Sequence, residues 1–175
     1  MEQNAPDRFA IVDPIKMVYR SGQPTHEQLE ELYKMGIRNV INLRRKIENP
    51  IGNYNEQTSC GTLSIKYYSF AHFGFLGMTP ETIDEIVDAI RNTEGPVLVH
   101  CKHGRDRTST IIAAYLVKYC DKDPELAWTE DAVGYDHDEN TMFCSNFKPS
   151  FFGYCDYLKN KKRNEKKNDE NKEEI

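Results

Sequence analysis

Apolar residues recur along this chain with two alternating periods, one of strands and one of helices. FAIVD (9–13) and MVYRS (17–21) are short apolar stretches separated by Pro14, the pattern of two small strands or of a strand and a bend. In THEQLEELYKMG (25–36), Thr25 stands as N-cap, Gln28 completes a capping box, and Leu29, Leu32 and Tyr33 share a face before Gly36 stops the helix. IRNVINLR (37–44) and SIKYYSF (64–70) read as further strands, with NPIGNYNEQTSCG (49–61), rich in turn formers, between them. TPETIDEIVDAIRN (79–92) predicts a helix through Ile83, Ile86, Val87 and Ile90, and GPVLVH (95–100) a continuous buried strand. Three more helices follow by pattern: TSTIIAAYLVKYC (108–120), DPELAWTEDAVGY (123–135) with Leu126, Ala127 and Ala132 on one side, and an aromatic-rich NFKPSFFGYCDYLKN (146–160). Strands alternating with helices of this length predict an α/β fold, a central and mostly parallel sheet flanked by helices, with PVLVH in the middle.

Composition narrows the functional classes. The chain has 175 residues, 38% hydrophobic, enough for one core, and its net charge is −5. From Lys159 onward the sequence is almost entirely charged or amide, so we expect one domain over 1–158 and a tail over 159–175, disordered or a frayed helical extension. An acidic body lacks the broad basic face that nucleic acid or an anionic membrane requires, so any anion site must be local. Five cysteines, Cys60, Cys101, Cys120, Cys144 and Cys155, show neither metal-ligand spacing nor disulfide density, which predicts reduced thiols and no metal or other cofactor. DHDEN (136–140) lacks the glycine and distant glutamate of a calcium loop and reads as a solvated turn. No apolar run reaches membrane-spanning length and MEQNAPDR shows no signal peptide; a chain starting after a removed signal would look the same, so cytoplasmic and secreted locations both stand, and a monomer is expected.

One stretch gathers positive charge against this acidic background: HCKHGRDRTS, residues 100–109. Cys101 is the first residue past the predicted central strand, where open α/β sheets place their chemistry, and the next helix begins within a few residues. A loop there can turn its amides inward and share the positive end of that helix, making an oxyanion cradle. Five residues separate Cys101 from Arg107, enough for the loop to close a phosphate-sized cup with the planar guanidinium at its rim. The same surroundings favour thiolate over thiol, making Cys101 a nucleophile near neutral pH. The alternative is a buried structural cysteine beside chance charges. Lys102, His103 and Arg105 flank Gly104 in the middle of the loop; pointing at the mouth they favour a polyphosphorylated ligand, pointing outward they are solvated surface.

His-Cys, five residues, Arg, Ser/Thr is the signature of the cysteine-based protein tyrosine and dual-specificity phosphatases, which this chain resembles at His100, Cys101, Arg107 and Thr108. VYRSGQPT (18–25) and GIRNVINLR (36–44) are similar to the entry segment of compact bacterial and fungal members, so the resemblance spans about residues 15–135. It implies that Cys101 forms a phosphocysteine, Arg107 binds equatorial oxygens, Thr108 assists thiolate departure, and His100 orients the loop. Arg20, Arg44 and Arg45 either reach substrate or make structural pairs. Members of this family carry a general-acid aspartate about thirty residues before the cysteine; here that place is YYSFAHFGFLGM (67–78), with no Asp or Glu. Either His72 or Asp106 substitutes for it, or the leaving group is acidic enough to depart unaided. The order Cys-Lys-x-Gly-x-Asp-Arg-Thr is similar to myotubularin, Sac-type and secreted bacterial phosphatases, in which this aspartate is a proposed acid and phosphoinositides are substrates; a loop-bracing salt bridge is the competing role for Asp106. The implied partner is a phosphorylated substrate, either an inositol phosphate or phosphoinositide, or a phosphotyrosine-bearing phosphoprotein. A binding-only pseudophosphatase and a rhodanese-type sulfurtransferase are the alternative functions.

Overall fold

The computed structural model describes residues 5–48, 50–71, 77–138 and 144–173. Five strands, β1 (Ala10–Asp13), β2 (Val18–Ser21), β3 (Asn39–Asn42), β4 (Lys66–Ser69) and β5 (Val97–His100), form one sheet in the order β1-β2-β5-β3-β4. Only the β1–β2 pair is antiparallel. β5 runs parallel to both neighbours, with His100 level with Ser21 on one side and Asn42 on the other. Every residue of β3 and β5 is buried, as expected of strands covered on both faces.

Six helices cover the sheet: α1 (His26–Lys34), α2 (Pro50–Thr62), α3 (Pro80–Asn92), α4 (Asp106–Tyr119), α5 (Pro124–Asp131) and α6 (Phe147–Glu173). Thr25 and Gln28 form the expected capping box on α1, and Thr79 caps α3. Ile83, Ile86, Val87 and Ile90 of α3 join Ile111 to Leu116 of α4 in the larger core, closed by Trp128, Phe147, Phe151 and Tyr154. Leu29, Leu32, Val40, Cys60, Ile65 and Leu98 fill a smaller core on the other face.

Three expectations need correction, and one alternative is narrowed. The turn-rich segment 49–61 contains α2: it turns helical because Cys60 packs into the smaller core and Glu56 finds buried partners, tertiary gains that outweigh poor propensity. α4 begins at Asp106 rather than Thr108, so the preceding loop is 101–105. Leu126 of α5 faces solvent instead of the sheet. Beyond Lys159 the backbone continues as helix to Glu173, the helical rather than the disordered form of the tail; an anchored first half removes the nucleation cost for the charged second half.

Candidate active site

Cys101 leaves the carboxyl end of β5 with its side chain buried, and loop 101–105 carries the chain into α4. Three carbonyls of that loop are held by the N-terminal part of the chain. The Gln23 amide donates to Lys102 O at 3.1 Å. Arg8 Nη1 donates to His103 O at 3.1 Å, and Arg20 Nη2 to Gly104 O at 2.7 Å. A planar peptide whose C=O is fixed on one side presents its N–H on the other. The amide of His103, paired with the tethered Lys102 carbonyl, accordingly donates to the Cys101 sulfur, as does that of Thr108. An amide-lined cup follows from these tethers.

Gly104 is obligatory to this packing. Its φ is +68°, and a Cβ there would stand 2.5 Å from Gly22 N and 2.7 Å from Ser21 O. Arg20 is fully buried behind it. It also donates to Asp131 O (2.6 Å) and Ser109 Oγ (2.7 Å), and its guanidinium lies 3.5 Å from the centre of the Tyr135 ring. Burial pushes its pKa down to about 10, which still leaves it charged at neutral pH. Arg20 is thus a structural tether of the loop. Arg44, also buried, donates to Gln23 Oε1 at 3.0 Å and so belongs to the same lacing.

The sulfur is chemically set apart from the other thiols. Burial pushes the Cys101 thiol up, but the Arg107 charge, the Thr108 hydroxyl and the amides of Thr108 and His103 together hold it below an ordinary thiol. Burial drives Cys60 up to about 12, and Cys120 and Cys155 up to about 11. Arg107 is braced end-on by Glu48, with Nη1 to Oε1 at 2.9 Å and Nη2 to Oε2 at 3.0 Å, and Nη1 also reaches Leu43 O at 3.3 Å. This bidentate contact fixes the guanidinium plane. Thr108 is buried with its hydroxyl turned to the sulfur and no well-aligned hydrogen-bond partner besides.

Asp106, at the first turn of α4, is more engaged than a waiting acid would be. Its Oδ1 accepts from His137 Nδ1 at 2.9 Å and from Cys144 Sγ at 3.4 Å, while Arg105 Nε lies 3.4 Å from Oδ2. Burial pushes the carboxyl up, but His137, Arg105 and Cys144 outweigh it and hold the group below the usual carboxylate range. The expected solvated turn at 136–140 is therefore corrected at its start: His137 is buried between Trp128 and Phe147, and Asp136 pairs with Arg8 at 2.7 Å. The donor atoms of Asp106, His137 and Cys144 lie within 4.8 Å of one another, the spacing of a metal site. Coordination through His137 Nδ1 would move the imidazole proton to Nε2, which is buried with no acceptor among the described residues, whereas metal-bound histidines give that proton to a partner. The trio fits a hydrogen-bonded brace better than a metal centre.

Lys102 and His103 are exposed and Arg105 is half-buried. Burial and the neighbouring Lys102, Arg105 and Arg8 push the His103 pKa down, the mark of crowded cations. His72 lies outside the described residues. The residues that sequence reasoning missed come from other segments, Arg8 and Gln23 to the loop itself, Glu48 and His137 to Arg107 and Asp106 at the start of α4, and Glu56 to His100 at the end of β5, with only the polar character of those segments as a signal.

Comparison with known proteins agrees with this geometry. A protein-family model described as "Swiss Army Knife protein, DSP-PTPase phosphatase domain" matches residues 6–145. A beta-lactamase hydrolase-like protein of Xylella fastidiosa is 36% identical over 96 residues, 54% of this chain and 22% of that protein; the chain thus spans less than a quarter of this relative. The core catalytic domain of the PP-IP phosphatase SIW14 from S. cerevisiae, solved with citrate, superposes with a TM-score of 0.73 at 20% identity, covering 94% of both chains. P. aeruginosa TpbA, solved as a cysteine-to-serine variant with pTyr, superposes with a TM-score of 0.65 at 20% identity, covering 87% of this chain and 92% of its own.

Proposed function

This chain belongs to the Swiss Army Knife DSP-PTPase phosphatase domain family, and from that premise we propose that it hydrolyses phosphomonoesters through a phosphocysteine on Cys101. The observation that carries the proposal is the lowered thiol of Cys101 at the base of a loop whose carbonyls are tethered to Gln23, Arg8 and Arg20. The Cys101 thiolate attacks phosphorus; the S–P bond forms as the ester P–O bond breaks, and the amides and Arg107 stabilise the equatorial oxygens. Water then attacks phosphorus, the S–P bond breaks, and Thr108 hydrogen-bonds the departing thiolate. Asp106 is the proposed donor of the proton to the leaving oxygen and its acceptor from the water. Because its contacts favour the anion, it takes up that proton only when the phosphate dianion adds like charge beside it.

The cations Lys102 and Arg105, with His103 held neutral between them as a hydrogen-bonding partner, favour a polyphosphorylated substrate, an inositol phosphate or phosphoinositide, whose additional phosphates they would meet. The scaffold shared with a PP-IP phosphatase is compatible with this, and the pTyr held by TpbA makes phosphotyrosine the second reading. Two measurements test the proposal. Cys101→Ser should lose all turnover while still binding phosphate or vanadate; retained turnover removes Cys101 as nucleophile. In a kcat/KM panel of soluble inositol phosphates, phosphoinositides and phosphotyrosine peptides, Lys102→Ala should weaken the inositol compounds selectively, and an unchanged ratio removes the polyanion preference.

A further inference from the structure

Glu56 is a buried carboxylate that lies beside the strand delivering Cys101. It sits on α2 with only 4% of its surface exposed, and each of its partners is a donor. Oε1 accepts from Gln23 Nε2 at 2.7 Å and lies 2.9 Å from His100 Nε2. Oε2 accepts from Asn42 Nδ2 at 2.6 Å and from the Tyr67 hydroxyl at 3.3 Å. Four donors from the β2–α1 connection, β3, β4 and β5 thus converge on one carboxylate.

His100 sits between two acceptors. Its Nε2 faces the Glu56 carboxylate, and its Nδ1 lies 3.2 Å from the Cys101 carbonyl. Neither a carboxylate nor a carbonyl can donate, so each ring nitrogen must carry a proton, and the form that meets both is the imidazolium. The Nε2–H points off the line to Oε1, so the contact is an ion pair more than an aligned hydrogen bond. Glu56 is also linked to the loop indirectly, because Gln23, which binds it, donates its own amide to Lys102 O.

We propose that Glu56 is a positioning residue that holds His100 as a buried imidazolium, and thereby keeps a fixed positive charge and a fixed backbone direction at Cys101. The proposal rests on the assignment of Cys101 as nucleophile. The other titratable or charged groups around the pair are Tyr67 from β4, Cys60 from α2 itself and Arg44 through Gln23. Burial and the negative charge of Glu56 push Tyr67 up beyond physiological pH and Cys60 to about 12, so both stay neutral. Arg44 stays charged, leaving His100 as the group whose state Glu56 decides.

Two experiments on the full chain test this. In 15N-histidine-labelled protein, both His100 nitrogens should show the imidazolium signature from pH 6 to pH 8; a neutral His100 at pH 7 overturns the proposal whatever the variants do. In Glu56→Gln, the pH midpoint for alkylation of Cys101 by iodoacetamide should rise by about 1 unit or more. Glu56→Asp should recover part of that shift. An unchanged midpoint in a folded Glu56→Gln protein overturns the proposal, and if that variant fails to fold the histidine spectrum decides. The spectrum does not depend on turnover, so failure of the nucleophile assignment, read from Cys101→Ser kinetics, is distinguishable from failure here.

Discussion

Asp106 shows how a single side chain divides between two tasks. Its contacts with His137, Cys144 and Arg105 brace the start of α4, and the proposed chemistry asks it to release a proton at the cup. Asp106→Asn separates the two. Loss of an acid should slow alkyl phosphates by about 10²- to 10⁴-fold and p-nitrophenyl phosphate far less, because nitrophenolate leaves unaided. Equal losses on both substrates would make it a brace alone. At this scale the sequence was legible wherever the chemistry is local: Cys101, Arg107 and Thr108 share one loop and helix start, so spacing alone placed them together. Glu48, Glu56 and His137 stand 59, 44 and 31 positions from the residues they serve, and nothing in their own neighbourhoods marks them as partners.

Among the elements, those with a strong apolar period were readable. α1 and α3 have caps and one-sided apolar faces, and β5 is apolar throughout. α2 has glycines, asparagines and threonines and almost no one-sidedness; what holds it is a buried thiol and a buried carboxylate. That dependence gives α2 a pH signature. Burial opposes the charge on both members of the pair, but hydrogen bonding and mutual attraction prevail, so Glu56 is depressed and His100 raised. A depressed carboxylate stabilises the fold above its unfolded value of about 4.3, and that contribution is lost as pH falls through its folded value. A raised imidazole stabilises below about 6.5, and its contribution is lost as pH rises through its folded value. Urea unfolding in the Cys101→Ser background, where the thiol does not titrate, should therefore show stability rising with pH on the acid side and falling above about 6.5. Adding Glu56→Gln should reduce both slopes, leaving on the acid side the share of the other lowered carboxylates, Asp13, Asp84 and Asp106. Slopes unchanged by that substitution would place the titration on other groups.

The whole molecule is a sheet whose central strand ends at Cys101, the proposed nucleophile, closed on one side by α3, α4 and α6. The family match ends at residue 145, so α6 lies beyond it, yet Phe147, Phe151 and Tyr154 complete the larger core and the Tyr154 hydroxyl donates to Asp84 of α3 at 2.9 Å. The catalytic loop depends on the opposite end of the chain. His103 and Gly104 are tethered by residues 95 and 84 positions earlier, Arg8 and Arg20, and Arg8 precedes β1, outside the backbone ladder of the sheet. Catalysis then becomes a reporter of local opening: release of the Arg8 segment from loop 101–105 would let the His103 peptide rotate and disarm the proposed site while the core stayed folded. In a urea series, hydrolysis should fade at lower denaturant than the far-ultraviolet dichroism signal, and coincident midpoints would mean that the leading segment melts only with the rest.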